Sequence, residues 1–118
     1  MKDMNIKVEG IAPDMIANNL TPSRPIHPGE MIKDEIEFRG TSQKALAAEI
    51  GLPASVLNEV LNGKRAVTTE YALLLEAALG IEADLWIRLQ ADYNKQVACS
   101  NPSFMPRIEK IRQVAAFL

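Results

Sequence analysis

The chain has 118 residues, a formal net charge of −2 and one cysteine, and 47% of its residues are hydrophobic but only 5% aromatic. That length and composition suit one helical domain with arms, large enough to bury roughly two-thirds of its unfolded surface. Cys99 alone cannot form an internal disulfide, so a reducing cytoplasm is the expected compartment; no apolar run approaches the ~18 residues that span a bilayer, and Asp3, Glu9, Pro13 and Asp14 are incompatible with a signal-peptide core.

Residues 1–27 read as an arm. Asn5 to Ile11 alternates apolar and polar through Ile6 and Val8, which suits a short extended segment. Pro13-Asp14 starts a short helical turn carrying Met15, Ile16 and Leu20, and Pro22, Pro25 and Pro28 then keep the chain extended. Pro28 to Phe38 is the first helix, with Ile32 and Ile36 at i, i+4 and Asp34, Glu35 and Glu37 on a solvated acidic side; Gly40 ends it.

Residues 41–63 read as two short helices joined by a tight turn. Ser42 is an N-cap, and Leu46 and Ile50 give the helix after it one apolar face. Ala45, Ala47 and Ala48 allow close approach of the two helices. Gly51 stands where the chain must reverse with φ > 0, Leu52 plugs the corner, and Pro53 opens the next helix with φ already set. Val56, Leu57, Val60 and Leu61 point inward, while Ser55, Asn58, Glu59 and Asn62 share the outward face. Gly63 is the expected left-handed cap, and Lys64 and Arg65 follow in the loop.

Thr68 or Thr69 caps a fourth helix, with Glu70 placed to suit the helix dipole. Ala72, Leu75 and Leu79 form one face, and Leu73, Leu74 and Ala77 make the rest apolar, so burial on most sides is expected. Ala83 to Ala98 is a fifth helix, with Leu85, Leu89 and Tyr93 at i, i+4, i+8, beside Trp86, Gln90 and Val97; Trp86 reads as core. After Asn101-Pro102, residues 106–118 form an amphipathic extension with a stripe of Ile108, Ile111, Ala115 and Leu118. A helix this short is marginal alone, so the stripe needs a surface on this domain or another subunit.

The 41–63 pattern is helix-turn-helix grammar, in which the second helix enters the major groove. Asn58 can pair bidentately with adenine, Glu59 can accept from the cytosine amino group, and Ser55 can serve several bases. Gln43, Lys44, Lys64 and Arg65 stand where phosphate contacts fall, and those hold register rather than read sequence. A plain helical hairpin with a solvated face is the alternative. Charge weighs against DNA: residues 41–80 carry four carboxylates (Glu49, Glu59, Glu70, Glu76) against three cations, so non-specific affinity is expected to be weak and useful binding to need a dimer. An acidic chain also suits a basic protein partner.

Catalytic chemistry is not supported. His27 is the single histidine and Cys99 has no activating neighbour in sequence, so metal, triad and thiolate chemistry are not expected, nor is any cofactor. Both residues read as structural or incidental.

The runs HPGE (27–30), SQKALAAEIGLPASVLNEVLNGKR (42–65), VTTEYALLLEAALGI (67–81) and LWIRLQADYN (85–94) together resemble the HigA-type antitoxins, also described as plasmid-maintenance antidote proteins. The similarity covers roughly residues 26–98. The resemblance implies an all-α, five-helix lambda-repressor-like fold over 28–98, with the arm before it and a helical extension at 99–118. It also implies a homodimer that represses its own operon at operator DNA and binds a small basic toxin similar to the RelE-like messenger-RNA interferases. By position it carries DNA contact onto Gln43, Ser55, Asn58, Asn62 and Lys64. Ala54 departs from the family, where a glutamine often reads a base. A stand-alone repressor without a toxin, and an interaction module that has lost DNA binding, are the rival readings. Dimerisation is expected on the fifth helix and the 106–118 stripe, and toxin docking on the arm with the first helix.

Overall fold

The computed structural model describes residues 24–117, so the strand and turn expected within residues 1–23, and Leu118, lie outside the described residues. Six helices follow in order: α1 (Pro28–Arg39), α2 (Gln43–Ile50), α3 (Ala54–Leu61), α4 (Thr69–Leu79), α5 (Ala83–Cys99) and α6 (Met105–Ala115). The all-α, lambda-repressor-like architecture is as expected, with no strand among the described residues. α1 packs on α3 and α5, α2 on α3 and α4, and α4 on α5.

Local chemistry sets the helix ends. Ser42 Oγ accepts from the Ala45 amide at 3.0 Å, and Thr68 Oγ1 accepts from the Tyr71 amide at 3.1 Å. Each bond satisfies an amide that the helix start leaves open. Gly51 closes α2 at φ 74°, a left-handed conformation that glycine adopts without the steric penalty of a β-carbon. Pro53 corrects the expectation by one place. It is the residue before α3, with ψ 143°, and its carbonyl rather than its ring serves the helix, accepting from Val56 and Leu57.

One core runs through α1 to α5. Ile32, Ile36, Leu46, Ile50, Leu57, Val60, Leu61, Leu75 and Trp86 are buried together. Removing such side chains from water is the main favourable term in the fold, about 1.5–3 kcal/mol each before chain entropy is charged against it. Three expectations need correction. Ala45 and Ala48 are exposed, and of the three alanines Ala47 is the one buried. α4 is not buried on most sides, because Leu73 is 52% exposed and Ala77 is open too. On α5 the buried line is Ala83, Trp86 and Gln90, while Leu85, Leu89 and Tyr93 are half-buried beside it. The apolar period identified a face correctly in each helix but placed its centre poorly where most positions are apolar.

α6 stands apart. None of its residues is buried, and Ile111 is 61% exposed. Of the stripe expected from the sequence, Ile111 and Ala115 are exposed and Ile108 is half-buried, while Leu118 lies outside the described residues.

Candidate nucleic-acid interface

The α2–turn–α3 unit is built so that α3 turns one side fully inward. Leu57, Val60 and Leu61 are buried and Val56 half-buried, which leaves Ala54, Ser55, Asn58 and Asn62 exposed and Glu59 half-exposed. Of the row expected at i, i+3, i+4 and i+7, Ser55, Asn58 and Asn62 are therefore open to solvent and Glu59 is partly so. Gln43, at the start of α2, is half-buried beside it, and Lys44, Lys64 and Arg65 are exposed around its ends.

Amides connect this row. Asn58 Nδ2 donates to Gln43 Oε1 at 3.3 Å, and Asn62 Nδ2 donates to the Asn58 carbonyl at 2.9 Å and to Asn58 Oδ1 at 3.1 Å. Lys33 Nζ, from α1, donates to Asn62 Oδ1 at 3.2 Å. Asn58 keeps one amide hydrogen and one Oδ1 lone pair for a further partner, the donor–acceptor pair that the adenine edge requires. Side chains already held in place lose less freedom on binding, a saving of about 0.5–1.5 kcal/mol for each one.

Glu59, expected to accept from a cytosine amino group, is paired with Arg65 in this structure. Its Oε1 accepts from Arg65 Nη2 at 2.6 Å and from Nε at 2.9 Å. Hydrogen bonding and charge from Glu59 raise the Arg65 pKa. The pair ties up both groups: Glu59 is screened from neighbouring phosphate, and Arg65 is partly withdrawn as a phosphate contact. That leaves Lys44, Lys64 and Lys33 as the cations around the row without a carboxylate partner among the described residues.

Buried polar groups hold the loop that carries Lys64 and Arg65. The chain leaves α3 through Gly63 at φ 75°, with the Lys64 amide donating to the Glu59 carbonyl at 2.8 Å. On one side stands His27. Its Nδ1 accepts from the Gly29 amide at 2.9 Å as the cap of α1, its ring meets Tyr93 edge-on at 4.8 Å, and it lies against Gly63. Burial lowers the His27 pKa, opposed by a hydrogen bond to the Arg65 backbone and by Glu30. On the other side, Gln90 Oε1 accepts from the Val67 amide at 2.8 Å within the core, and its Nε2 donates to Asn94 at 2.9 Å. His27 is thus structural, as read from the sequence, with a definite task. Cys99 is exposed at the end of α5.

Sequence reasoning missed Lys33. The signal lay in HPGE: Gly29 lets the first turn of α1 meet the end of α3, since a β-carbon there would stand 2.1 Å from the Val60 carbonyl oxygen. Lys33, one turn later, then falls beside Asn62. Spacing within one helix could not reveal that; the α1–α3 contact does.

Residues 32–86 match the helix-turn-helix family. Antitoxin HigA-1 of Vibrio cholerae is 37% identical over 71 residues, 59% of this chain and 67% of that protein. An addiction module antidote protein of the HigA family from Coxiella burnetii superposes with a TM-score of 0.68 at 34% identity, covering 74% of this chain and 94% of that one. The Pseudomonas aeruginosa antitoxin HigA, solved with the higBA promoter, gives 0.65 at 30% identity over 74% of this chain and 94% of that one. No helix among the described residues is long and apolar enough to cross a membrane.

Proposed function

The chain belongs to the HigA-type antitoxin family, a group of regulators and not enzymes, and from that membership and the open amide row we propose that it represses its own operon at operator DNA and neutralises a RelE/HigB-like messenger-RNA interferase. One observation carries the DNA half of this reading: Ser55, Asn58 and Asn62 are exposed on a helix whose Leu57, Val60 and Leu61 are buried. Asn58 reads adenine, Ser55 supplements it, and Ala54 offers a methyl group to thymine where a glutamine would have offered an amide. Gln43, Asn62, Lys44, Lys64 and Lys33 hold the duplex in register. Arg65 contributes when it leaves Glu59. The working form is a cytoplasmic homodimer, built of an arm to residue 27, the domain 28–98 and the extension 99–118. A dimer reading two half-sites supplies the affinity that a core with more carboxylates than cations cannot supply singly.

The charge deficit favours a second reading, an interaction module with the fold but without DNA binding. Two measurements separate them. A gel shift at moderate salt with the DNA upstream of this reading frame tests the repressor. Co-expression with the product of the adjacent gene, followed by co-purification and growth rescue, tests the antitoxin, and a small basic product there favours it. A chain that shifts the DNA but neither binds nor rescues against the neighbour is a stand-alone repressor.

A further inference from the structure

We propose that α6 of one copy docks on the outer face of α1 of a second copy, reciprocally, so that the exchange closes the dimer. The proposal rests on the homodimer reading above and adds the surfaces that make it.

Two faces of the same chain, each without a partner among the described residues, match one another. On α1, Met31, Asp34 and Phe38 stand at i, i+3 and i+7 and share one side. All three are exposed, Phe38 at 88%, on the side away from the buried Ile32 and Ile36. On α6, Ile108, Ile111 and Ala115 stand at the same i, i+3 and i+7, and none is buried. The flanks match as well. Glu30 and Glu35 occupy i−1 and i+4 on α1, and Arg107 and Arg112 occupy i−1 and i+4 on α6. α1 carries four carboxylates against two cations, and α6 carries three cations against one carboxylate. The two helices have 12 and 11 residues, so their lengths agree within about 2 Å at the helical rise. Single exposed apolar residues need no explanation; two faces with one register and opposite flanks do.

The geometry selects a second copy as the occupant. Two α1 faces brought together would oppose carboxylates to carboxylates. The chain's own α6 follows α5 through a tight turn, in which Asn101 Oδ1 accepts from the Ser103 amide at 2.9 Å and from its hydroxyl at 2.8 Å. The ion pairs that now engage the flanks are Arg24–Glu30 at 3.0 Å, Arg39–Glu35 at 2.7 Å and Arg112–Glu109 at 3.5 Å. The Arg112–Glu109 pair is exposed and weak; Arg24 holds Glu30 through two bonds and Arg39 is also held by the Leu79 carbonyl at 2.7 Å, so docking must exchange these contacts. In a two-fold dimer the contact occurs twice, and the closed arrangement leaves no face to recruit a third copy. Lys33 reaches Asn62 from another side of α1.

The test is sedimentation equilibrium of the full chain, with the thermal transition of each variant as a check on folding. The wild type is expected to dimerise. Phe38→Ser and Ile111→Ser should each weaken dimerisation by roughly 30-fold or more, as for the loss of a central contact. Arg107→Glu with Arg112→Glu should weaken it too, and adding Glu30→Arg with Glu35→Arg should restore it. A wild type that is monomeric at every concentration overturns both this proposal and the dimer reading. Variants that dimerise like the wild type overturn the proposal alone, as does a charge reversal without rescue. A Phe38→Ser chain that melts many degrees lower when dilute and monomeric would show the face covered by its own chain, which also overturns it.

Discussion

α3 and α6 are both short, both amphipathic in sequence, and they end in opposite situations. α3 has Leu57, Val60 and Leu61 buried against α1 and α2, so its polar side is displayed in one fixed orientation. α6 has no buried residue at all. An apolar stripe says that a helix will bury a face; it does not say where the covering surface lies. The difference comes from neighbours. α3 is reached within one tight turn of α2 and is closed over by the first turn of α1, whereas no residue of α6 is buried by a neighbour.

The largest expected effect tests how firmly α3 is seated. Gly29→Ala puts a β-carbon against the Val60 carbonyl, a backbone atom that cannot swing aside. We expect a loss of about 2–3 kcal/mol, which lowers Tm by roughly 10–20 °C in a domain of this size. Ile111→Ser on α6, measured at a dilution that keeps the chain monomeric, should change stability by less than about 0.5 kcal/mol. Equal effects would erase the contrast between the two helices.

A smaller effect concerns the charges at the end of α3. Lys64→Ala should weaken binding to all DNA sequences alike and reduce the slope of log affinity against log salt by about 0.9 per subunit. Glu59→Gln should do the reverse. It removes the carboxylate that holds Arg65 at 2.6 Å and so returns a cation to the interface, steepening the slope by a similar amount. A Glu59→Gln variant that binds DNA less well would mean that the carboxylate meets a base directly.

The smallest effect is a pH dependence of the loop beside α3. His27 accepts from the Gly29 amide only while Nδ1 is unprotonated, and burial depresses its pKa below the usual 6.5. The unfolded chain therefore takes up the proton more readily. Stability from this group is complete above the ordinary histidine pKa and declines as pH falls below it toward the folded value. His27→Asn keeps a side-chain acceptor at the cap and should flatten this part of a Tm-against-pH curve. An unchanged curve would assign the acid sensitivity to another group.

Much of α2–α3 was legible in the sequence because each signal there is local. Ser42, Gly51 and Gly63 act on their own backbones, and the inward and outward rows follow from helix period alone. What stayed hidden depends on contacts between distant segments. Lys33 joins the amide row only through the α1–α3 contact, Gln90 becomes the support of Val67 across 23 residues, and Arg65 pairs with Glu59 rather than waiting for phosphate. α4 was misjudged for another reason. With Leu73, Leu74 and Ala77 spread around its circumference, its period does not single out a buried side.

The central claim is that the α3 row reads bases. The most direct test is equilibrium binding of the wild type and Asn58→Ala to the DNA upstream of this reading frame, measured across a salt series. The expected result is specific binding by the wild type and a loss of about 1–3 kcal/mol in the variant, confined to one base position in each half-site. The salt slope should stay the same, because a base contact releases no counterions. Equal affinity for both proteins, or a loss of the same size on every DNA sequence, would contradict it.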